Sequence, residues 1–196
     1  MTTIYTGASM SLDGYVSGPG ESGFEHLFKW YGNGDVVVET ADPNLTMRMT
    51  EMGAAHFRKH RELTGALVVG RKLYDYTNAW GGRHPLDVPV VVLTHHPPGP
   101  DNDSFVFVTE GIEAAIAKAR ELAGDKIVGL NSGQIAGQAL AAKLLDEIWV
   151  DLVPVLLGGG TPFFSQFEGA PVALEGPLSI GDDKDVTHLR YRVRYE

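Results

Sequence analysis

The stretch Ala66-Leu67-Val68-Val69-Gly70-Arg71-Lys72 decides the fold class, because an apolar run passes through a glycine into a polar segment. Four successive apolar residues are typical of a strand that is covered on both faces, as in parallel sheets. The glycine and the two cations after it indicate a turn into a helix. The same order of apolar run, glycine turn and helical period recurs near residues 127–140, so the chain predicts strands that alternate with helices.

Short runs rich in Val, Ile, Phe or Thr predict the strands, and apolar residues at helical spacing predict the helices. The predicted strands are residues 4–9, 36–40, 66–69, 88–94, 105–109, 126–130, 148–153 and 189–195. The predicted helices are residues 50–63, a short one that begins at Arg71, 111–123 and 134–145. This order predicts a single α/β domain over residues 1–196, with a mostly parallel sheet and helices on both faces.

The last predicted strand alternates strictly, which indicates an antiparallel edge of the sheet. Its apolar face carries Leu189, Tyr191, Val193 and Tyr195, and three arginines share the other face. A row of arginines suits a phosphate, but the solvated face of an antiparallel strand gives the same alternation. We favour the solvated face, because half-exposed antiparallel strands are the commoner cause of this pattern.

The composition excludes several classes of protein. Acidic residues number 25 and basic residues 16, and the resulting net charge of −9 argues against a nucleic-acid partner. The absence of cysteine excludes disulfides, zinc–thiolate sites, iron–sulfur clusters and thiol nucleophiles. No apolar stretch approaches the roughly 20 residues that span a bilayer, and no signal peptide begins the chain. We therefore expect a cytoplasmic protein that does not bind membranes.

Two strand-to-helix turns suit an anion, because the N–H groups at a helix start are unpaired and carry partial positive charge. The first turn holds Gly70, Arg71 and Lys72, and cations in a first helical turn oppose the dipole unless an anion lies there. Solvated cations explain this turn equally well on their own. The second turn, residues 127–134, suits a diphosphate, although such a turn often only caps a helix.

A third turn ends a central strand with Thr94, His95 and His96. Neighbouring histidines point to opposite faces of an extended chain, and no carboxylate lies nearby at ligand spacing, so we expect no metal. No Gly-x-Ser-x-Gly, His-Glu-x-x-His or P-loop pattern occurs in the chain. Turns that suit phosphates, without a nucleophile, indicate that a cofactor supplies the reactive atom.

Four motifs follow one another along almost the whole chain. They are Ala-Ser-Met-Ser-Leu-Asp-Gly-Tyr-Val-Ser-Gly at 8–18, Val-Gly-Arg-Lys-Leu-Tyr at 69–74, Val-Leu-Thr at 92–94, and the block 144–164, which contains Pro-Val-Leu-Leu-Gly-Gly-Gly-Thr-Pro. With them the chain resembles the dihydrofolate reductase-like superfamily, and most closely the reductase domain of the bifunctional riboflavin-biosynthesis deaminase–reductases. The resemblance implies a dihydrofolate reductase-like three-layer sandwich, a homodimer and NADPH as cofactor.

Carried over residue by residue, the resemblance implies a cofactor site and a lid over the substrate. The implied cofactor contacts are Ala8 and Val16 at the nicotinamide, Gly70, Arg71, Lys72 and Leu73 at the adenine-side phosphates, Thr94 and His95 at the ribose, and Gly129, Asn131, Ser132, Gly133, Gln134 and Ile135 around the diphosphate. The implied substrate contacts are Asp13, Gly14, Leu157, Gly158 and Thr161. The chain departs from the family at two places. Asn131-Ser132 replaces a pair of glycines, and Leu73 replaces a threonine.

The activity that the resemblance implies is hydride transfer from NADPH to a carbonyl or imine-like carbon. The chain resembles in this respect 5-amino-6-(5-phosphoribosylamino)uracil reductase, with a pterin-like or ribosylaminopyrimidine-like substrate. Dihydrofolate reductase is one alternative, although no buried carboxylate plainly matches the acid that supplies the proton in folate reductases. A non-catalytic protein that binds a dinucleotide is the other alternative.

Two expectations concern charged residues of this site. Asp13 precedes a glycine-rich hinge at residues 18–20, and a lid that closes there would raise the pKa of its carboxyl by desolvation. Asp13 is therefore the candidate catalytic proton donor, with a bound water or a simple turn residue as alternatives. Arg71 and Lys72 predict a preference for NADPH over NADH, because the 2′-phosphate is doubly charged.

The pattern of apolar residues near the end of the chain also predicts the homodimer. Trp149 and Val150 cannot both face one core on an alternating strand, so a second copy is expected to cover one of them. Residues 162–164 and 189–195 add apolar surface near the same end of the chain.

Overall fold

The structure is a computed structural model that describes residues 2–42, 45–165 and 167–195, and its centre is an eight-stranded sheet. The strands are β1 (Ile4–Ser11), β2 (Tyr15–Ser17), β3 (Val36–Glu39), β4 (Thr46–Met49), β5 (Thr64–Gly70), β6 (Val90–Leu93), β7 (Phe105–Val108), β8 (Ile127–Leu130), β9 (Glu147–Val153), β10 (Thr161–Pro162), β11 (Ala173–Asp183) and β12 (Val186–Arg194). The helices are α1 (Phe24–Leu27), α2 (Glu51–Leu63), α3 (Arg71–Tyr76), α4 (Ile112–Ala123) and α5 (Gln134–Ala141), with 3₁₀ turns at Lys29–Gly32 and Asn78–Gly82.

The order of strands in the sheet is β11-β12-β9-β1-β8-β5-β6-β7. The strands from β9 to β7 are parallel to their neighbours, and β12 and β11 add an antiparallel edge. The fold class predicted from the sequence is therefore confirmed, including the antiparallel edge near the end of the chain. Two small pairs, β2–β10 and β3–β4, lie outside this sheet.

Both faces of the sheet are covered, as the continuous apolar runs predict. Alternate residues of β5 and β6 enter two different core clusters: Val68 and Val91 face one side, and Val69 and Val92 face the other. The first cluster contains the buried residues of α4 and α5. The second contains Phe57 of α2, and the side chains of α3 pack against it. Among the described residues, no helix is long and apolar enough to cross a membrane.

Two predicted elements differ from the structure, and the strand β11 was missed. The predicted strand 36–40 lies outside the main sheet, because β3 pairs with the unpredicted β4. The helix predicted over 134–145 ends at Ala141, and Lys143 then adopts a left-handed backbone with φ 57° that turns the chain toward β9. β11 was not predicted, because its sequence contains glycine and proline and its side chains are largely exposed.

The arginines of β12 have carboxylate partners, which agrees with the favoured interpretation that they form no phosphate site. Arg190 Nε donates to Glu147 Oε2 at 2.7 Å, and Arg192 and Arg194 both pair with Glu175 of β11. The Arg190 guanidinium also lies 4.8 Å from the centre of the Trp149 ring. Trp149 stacks on Tyr5 at 4.3 Å and Val150 enters the first core cluster, so residues of the same chain contact both faces of β9. The alternation of Trp149 and Val150 therefore does not require a second copy, and the homodimer itself stays a prediction.

Candidate functional site

The predicted cofactor residues meet at one edge of the sheet. β1, β8, β5 and β6 are successive parallel neighbours, so their carboxyl ends lie side by side. The segments that follow these ends are residues 12–14, 131–135, 71–73 and 94–95. A Cβ placed on Gly70 would lie 3.6 Å from Ile135 Cγ1, so the turns after β5 and β8 touch. Ligands of open α/β sheets bind outside the carboxyl ends of the strands, and this edge is therefore the candidate site.

Both cations at the start of α3 have carboxylate partners. Arg71 Nε donates to Asp75 Oδ1 at 2.7 Å, and its Nη1 donates to the His96 carbonyl at 2.6 Å. Lys72 pairs with Glu21, which lies between β2 and α1. The folded chain therefore supplies carboxylates for both cations, so their position does not by itself require a bound phosphate, and the contact with a phosphate stays a prediction. They nevertheless lie at the edge where the site is expected.

The turn before α5 offers backbone donors, but fewer than the sequence suggested. The Asn131 N–H donates to the Val68 carbonyl and the Gly133 N–H donates to the Phe163 carbonyl, so neither is free for a phosphate. Gly133 has φ 70° and caps α5 without a side-chain hydrogen bond. The first N–H groups of a helix have no partner within it, so those of Gln134 and Ile135 are the available donors.

Gly129 has a structural reason to be glycine that involves no ligand. It lies within β8, and a Cβ there would approach Tyr5 Oη to 2.6 Å and Leu67 Cδ2 to 2.7 Å. The expectation that Gly129 belongs to a diphosphate loop is therefore corrected: the absent side chain makes room for Tyr5. Leu73 and Ile135 pack their side chains against the two cores, so only their backbone groups can reach a ligand.

The remaining residues that the sequence predicts at the cofactor lie near the same edge of the sheet. Ala8 lies within β1 opposite Val150, and Ala8 and Val16 pack against the core cluster beneath α4 and α5. Thr94 is buried, and its hydroxyl bonds with the backbone of His96, while His95 is exposed. Ser132 is buried next to Gly133.

Asp13 ties the segment after β1 to the loop between β9 and β10. Its Oδ1 accepts hydrogen bonds from Ser11 Oγ at 2.6 Å and from the Leu157 N–H at 3.1 Å. Its Oδ2 accepts one from the Gly158 N–H at 2.7 Å. The predicted substrate residues Asp13, Leu157 and Gly158 therefore do meet, and the carboxylate joins the two loops. We call residues 12–14 and 155–160, joined in this way, the lid.

The pKa of Asp13 is shifted in the opposite direction from the expectation. The hydrogen bond from Ser11 lowers the pKa below its usual value, desolvation opposes this shift, and the N–H groups of Gly158 and Leu157 lower it further. The Asp13 side chain is exposed. In this structure Asp13 therefore lacks the raised pKa that a proton donor near neutral pH requires, and its contacts define a tether.

The lid rests on the small β2–β10 pair. Thr161 pairs with Ser17, and the Phe163 N–H donates to the Gly14 carbonyl at 2.9 Å. A bridge between Gly133 and Phe164 joins this pair to the turn before α5. Gly14 of the lid and Thr161 of β10, both predicted at the substrate, are therefore linked through this pair to the candidate cofactor turn.

Sequence reasoning missed a cluster of polar side chains beneath α2. Asp151 Oδ1 lies 2.6 Å from His188 Nδ1 and 3.3 Å from His56 Nε2. Burial alone would raise the pKa of Asp151, but hydrogen bonds from His188 and His56 and the charges of both rings hold it well below its usual range. The sequence did contain a signal, because Asp151 interrupts an apolar strand.

His60, a half-buried histidine next to this cluster, forms a second polar contact with β1. Tyr5 Oη hydrogen-bonds with Thr64 Oγ1 at 2.8 Å and makes a short contact with His60 Nε2. Burial lowers the pKa of His60 to about 4, with the Asp151 charge opposing the shift, so its imidazole is neutral at physiological pH. α2 therefore directs two imidazoles, His56 and His60, onto the sheet.

The sheet order and the turns at its carboxyl edge define a dihydrofolate reductase-like α/β protein. A family described as "RibD C-terminal domain" matches residues 2–176 of the chain. The chain belongs to this family, which is of the riboflavin-pathway reductase type. A curated relative, "Uncharacterized protein YwjB" of Bacillus subtilis (strain 168), is 22% identical over 126 residues, which are 63% of this chain and 72% of the relative.

Solved structures share the fold over nearly the whole chain. A putative riboflavin biosynthesis protein from Shewanella sp. PV-4 has a TM-score of 0.73 and 22% identity, and the match covers 99% of this chain and all of that one. A deaminase/5-amino-6-(5-phosphoribosylamino)uracil reductase from Thermotoga maritima has a TM-score of 0.62 and 13% identity, over 98% of this chain and 57% of that one. Dihydrofolate reductase from Enterococcus faecalis, complexed with NADP(H) and RAB-propyl, has a TM-score of 0.59 and 13% identity, over 98% of this chain and 97% of that one.

Proposed function

We propose that this chain is an NADPH-dependent reductase that transfers a hydride to a carbonyl or imine-like carbon of a small pterin-like or ribosylaminopyrimidine-like substrate. The observation that carries the proposal is the meeting of four turns at one carboxyl edge, beside the start of α5, where no side chain occupies the N–H groups. Family membership supports the reaction type. NADPH bound at this edge supplies the hydride.

In this proposal the chain's own residues bind and orient NADPH, and they exclude water from the site. The N–H groups of Gln134 and Ile135 bind the diphosphate, which the start of a helix stabilises. Arg71 turns from Asp75 to the 2′-phosphate, and Ala8 lies beside the nicotinamide. The lid closes over the acceptor carbon and excludes water, and Asp13 holds its two loops together. The proton comes from a bound water, because the pKa of Asp13 is lowered.

The proposal is tested by two measurements on the purified protein. Titration of NADPH, followed by its fluorescence, is expected to show saturable binding at one site per chain. NADPH oxidation is then measured with 5-amino-6-(5-phosphoribosylamino)uracil and with dihydrofolate as acceptors. Binding with turnover of the first acceptor supports the proposal, and turnover of dihydrofolate alone supports the folate alternative. Binding without turnover of either supports a non-catalytic dinucleotide-binding protein, and absence of binding overturns the proposal.

Arg71→Ala is expected to weaken NADPH binding by about 2 kcal/mol, the range of a hydrogen bond between charged groups. This corresponds to a rise in Kd of roughly 30-fold. NADH lacks the 2′-phosphate, so its Kd is expected to stay nearly unchanged. Fluorescence titration of both cofactors into wild type and variant measures the difference.

Asp75→Ala is the matched control for this prediction. It removes the carboxylate that holds Arg71 and leaves the guanidinium in place. NADPH binding is therefore expected to stay equal or to tighten. Equal affinity of the wild type for NADPH and NADH, or equal weakening by Arg71→Ala and Asp75→Ala, contradicts the assignment of Arg71.

We also propose that the protein is a homodimer, now through β11 instead of β9. β11 lies at one edge of the sheet and exposes Leu174, Leu178 and Ile180. An apolar edge strand pairs readily with another chain. Light scattering at micromolar protein is expected to give twice the chain mass of 21.2 kDa, and Ile180→Lys is expected to give one chain mass. A wild-type mass of a single chain contradicts the proposal.

A further inference from the structure

Three metal-ligating side chains, His56, Asp151 and His188, converge beneath α2. His188 and Asp151 are register partners on β12 and β9, and Asp151 is the partner of Ser9 on β1. His188, Asp151 and Ser9 therefore form a row across three adjacent strands, on one face of the sheet. His56 reaches this row from α2, which packs on the same face.

The ligand atoms of this cluster lie close enough to share one ion. One atom from each residue can be chosen so that all three lie within 4.8 Å of one another. The two imidazole rings stack with their centres 3.8 Å apart. Ligand atoms around tetrahedral zinc, each about 2.0–2.2 Å from the ion, lie roughly 3.4 Å apart, so Asp151 Oδ1 and His188 Nδ1, which are 2.6 Å apart, must separate by about 0.8 Å.

The charges around Asp151 favour a cation in this place. Within the described residues Asp151 pairs with the two imidazoles, and the guanidinium of Arg190, on the neighbouring strand β12, is held by Glu147. A carboxylate removed from water requires a cation or several donors. Trp30 covers the cluster from above, with its ring centre 5.1 Å from that of His188.

A second observation is the unpaired nitrogen of His188. The side chain of His188 is 7% exposed, and its Nε2 is buried without a hydrogen-bond partner. Buried polar atoms are nearly always paired, so the His188 ring is incompletely satisfied by the described residues. Its other nitrogen, Nδ1, is the one that faces Asp151. His56 and Asp151, at 29% and 20% exposed, leave the cluster open to an ion from solvent.

We propose that His56, Asp151 and His188 bind a divalent transition-metal ion of the Zn²⁺ class. Two imidazoles and one carboxylate are a ligand set of zinc and of non-haem iron sites, and three protein ligands leave a position for water or for a ligand oxygen. The cluster lies beside Ser9, which follows the proposed nicotinamide contact Ala8, and Trp30 Nε1 donates to Ser9 Oγ at 3.0 Å. Metal binding here does not depend on the proposed reductase activity.

The competing interpretation is a hydrogen-bonded His–Asp–His cluster that takes no ion. In it His188 Nδ1 and His56 Nε2 donate to Asp151 and the stacked rings stay in place. The two interpretations differ in one measurable respect, because only the first one predicts saturable binding of a metal at one site per chain.

The test is titration of metal-free full-length protein, after treatment with a chelator, with Zn²⁺ by calorimetry and with Co²⁺ by visible absorption. We expect one ion per chain with a micromolar or tighter Kd, and Co²⁺ bands typical of four- or five-coordinate nitrogen–oxygen sites. His56→Ala and Asp151→Asn are each expected to raise the Kd at least tenfold. His56 lies at the surface of α2, so its variant decides the outcome if Asp151→Asn does not fold, and near-ultraviolet circular dichroism checks both.

The matched control is His26→Ala, which removes an exposed histidine on α1, outside both proposed sites. We expect it to keep the wild-type Kd for Zn²⁺. Failure of the wild type to bind one ion, or loss of binding in this control but not in His56→Ala, overturns the proposal in favour of the metal-free cluster. NADPH titration of the same samples reports separately on the reductase proposal.

Discussion

Replacing Gly160 with alanine is expected to lower the free energy of unfolding by about 3 kcal/mol or more. A Cβ there would overlap the Ser17 carbonyl oxygen and would lie 2.6 Å from the carbonyl carbon of Gly18. Both contacts are with backbone, which cannot rotate away as a side chain can. Gly160 also has φ 115°, a conformation that an alanine adopts only under strain. Urea denaturation followed by circular dichroism measures the loss.

Gly158→Ala provides the control for this prediction within the same loop. Gly158 has φ 73°, but nothing lies within 4 Å of its Cβ position. Its replacement is therefore expected to lower the free energy of unfolding by only about 1–2 kcal/mol, the cost of a left-handed backbone. Equal losses in the two variants would show that the β2–β10 pair moves to admit a side chain at Gly160.

The core strands could be predicted because their side chains are apolar on both faces. Residues 66–69 became the centre of β5, and the run 88–94 contained β6, with errors only at the ends. β11 could not be predicted, because its order comes from pairing with β12 and its own sequence contains Gly176 and Pro177. Local pattern therefore located the buried part of the sheet, and the exposed edge depended on contacts between distant residues.

The place of the candidate site was predictable, but the partners of its charged residues were not. Turns after parallel strands share one edge, so the positions of Gly70 and Gln134 follow from strand order. The partner of Lys72 is Glu21, far away in the chain, and no local pattern indicates it. The same holds for Asp151, whose two histidines come from α2 and β12.

Asp13→Ala is expected to release the lid without unfolding the protein. The variant removes the acceptor of the Leu157 and Gly158 N–H groups, which lie 144 and 145 residues further along the chain. Hydrogen exchange of these two amides is expected to accelerate by about tenfold or more, because exposed segments open locally when their hydrogen bonds are lost. Amides of β5 and β8 are expected to keep their protection. Exchange followed by mass spectrometry or NMR measures both.

The pH dependence of amide exchange distinguishes a tether from a proton donor at Asp13. A pKa lowered in the folded state means that the tether is present above the ordinary value of 3.8 and is lost as the pH falls through the lower folded value. Exchange of Leu157 and Gly158, corrected for its intrinsic pH dependence, is therefore expected to stay slow across neutral pH. Asp13→Asn keeps one acceptor oxygen and is expected to lie between wild type and Asp13→Ala. A loss of turnover in Asp13→Asn with unchanged protection of both amides would instead return Asp13 to the role of proton donor.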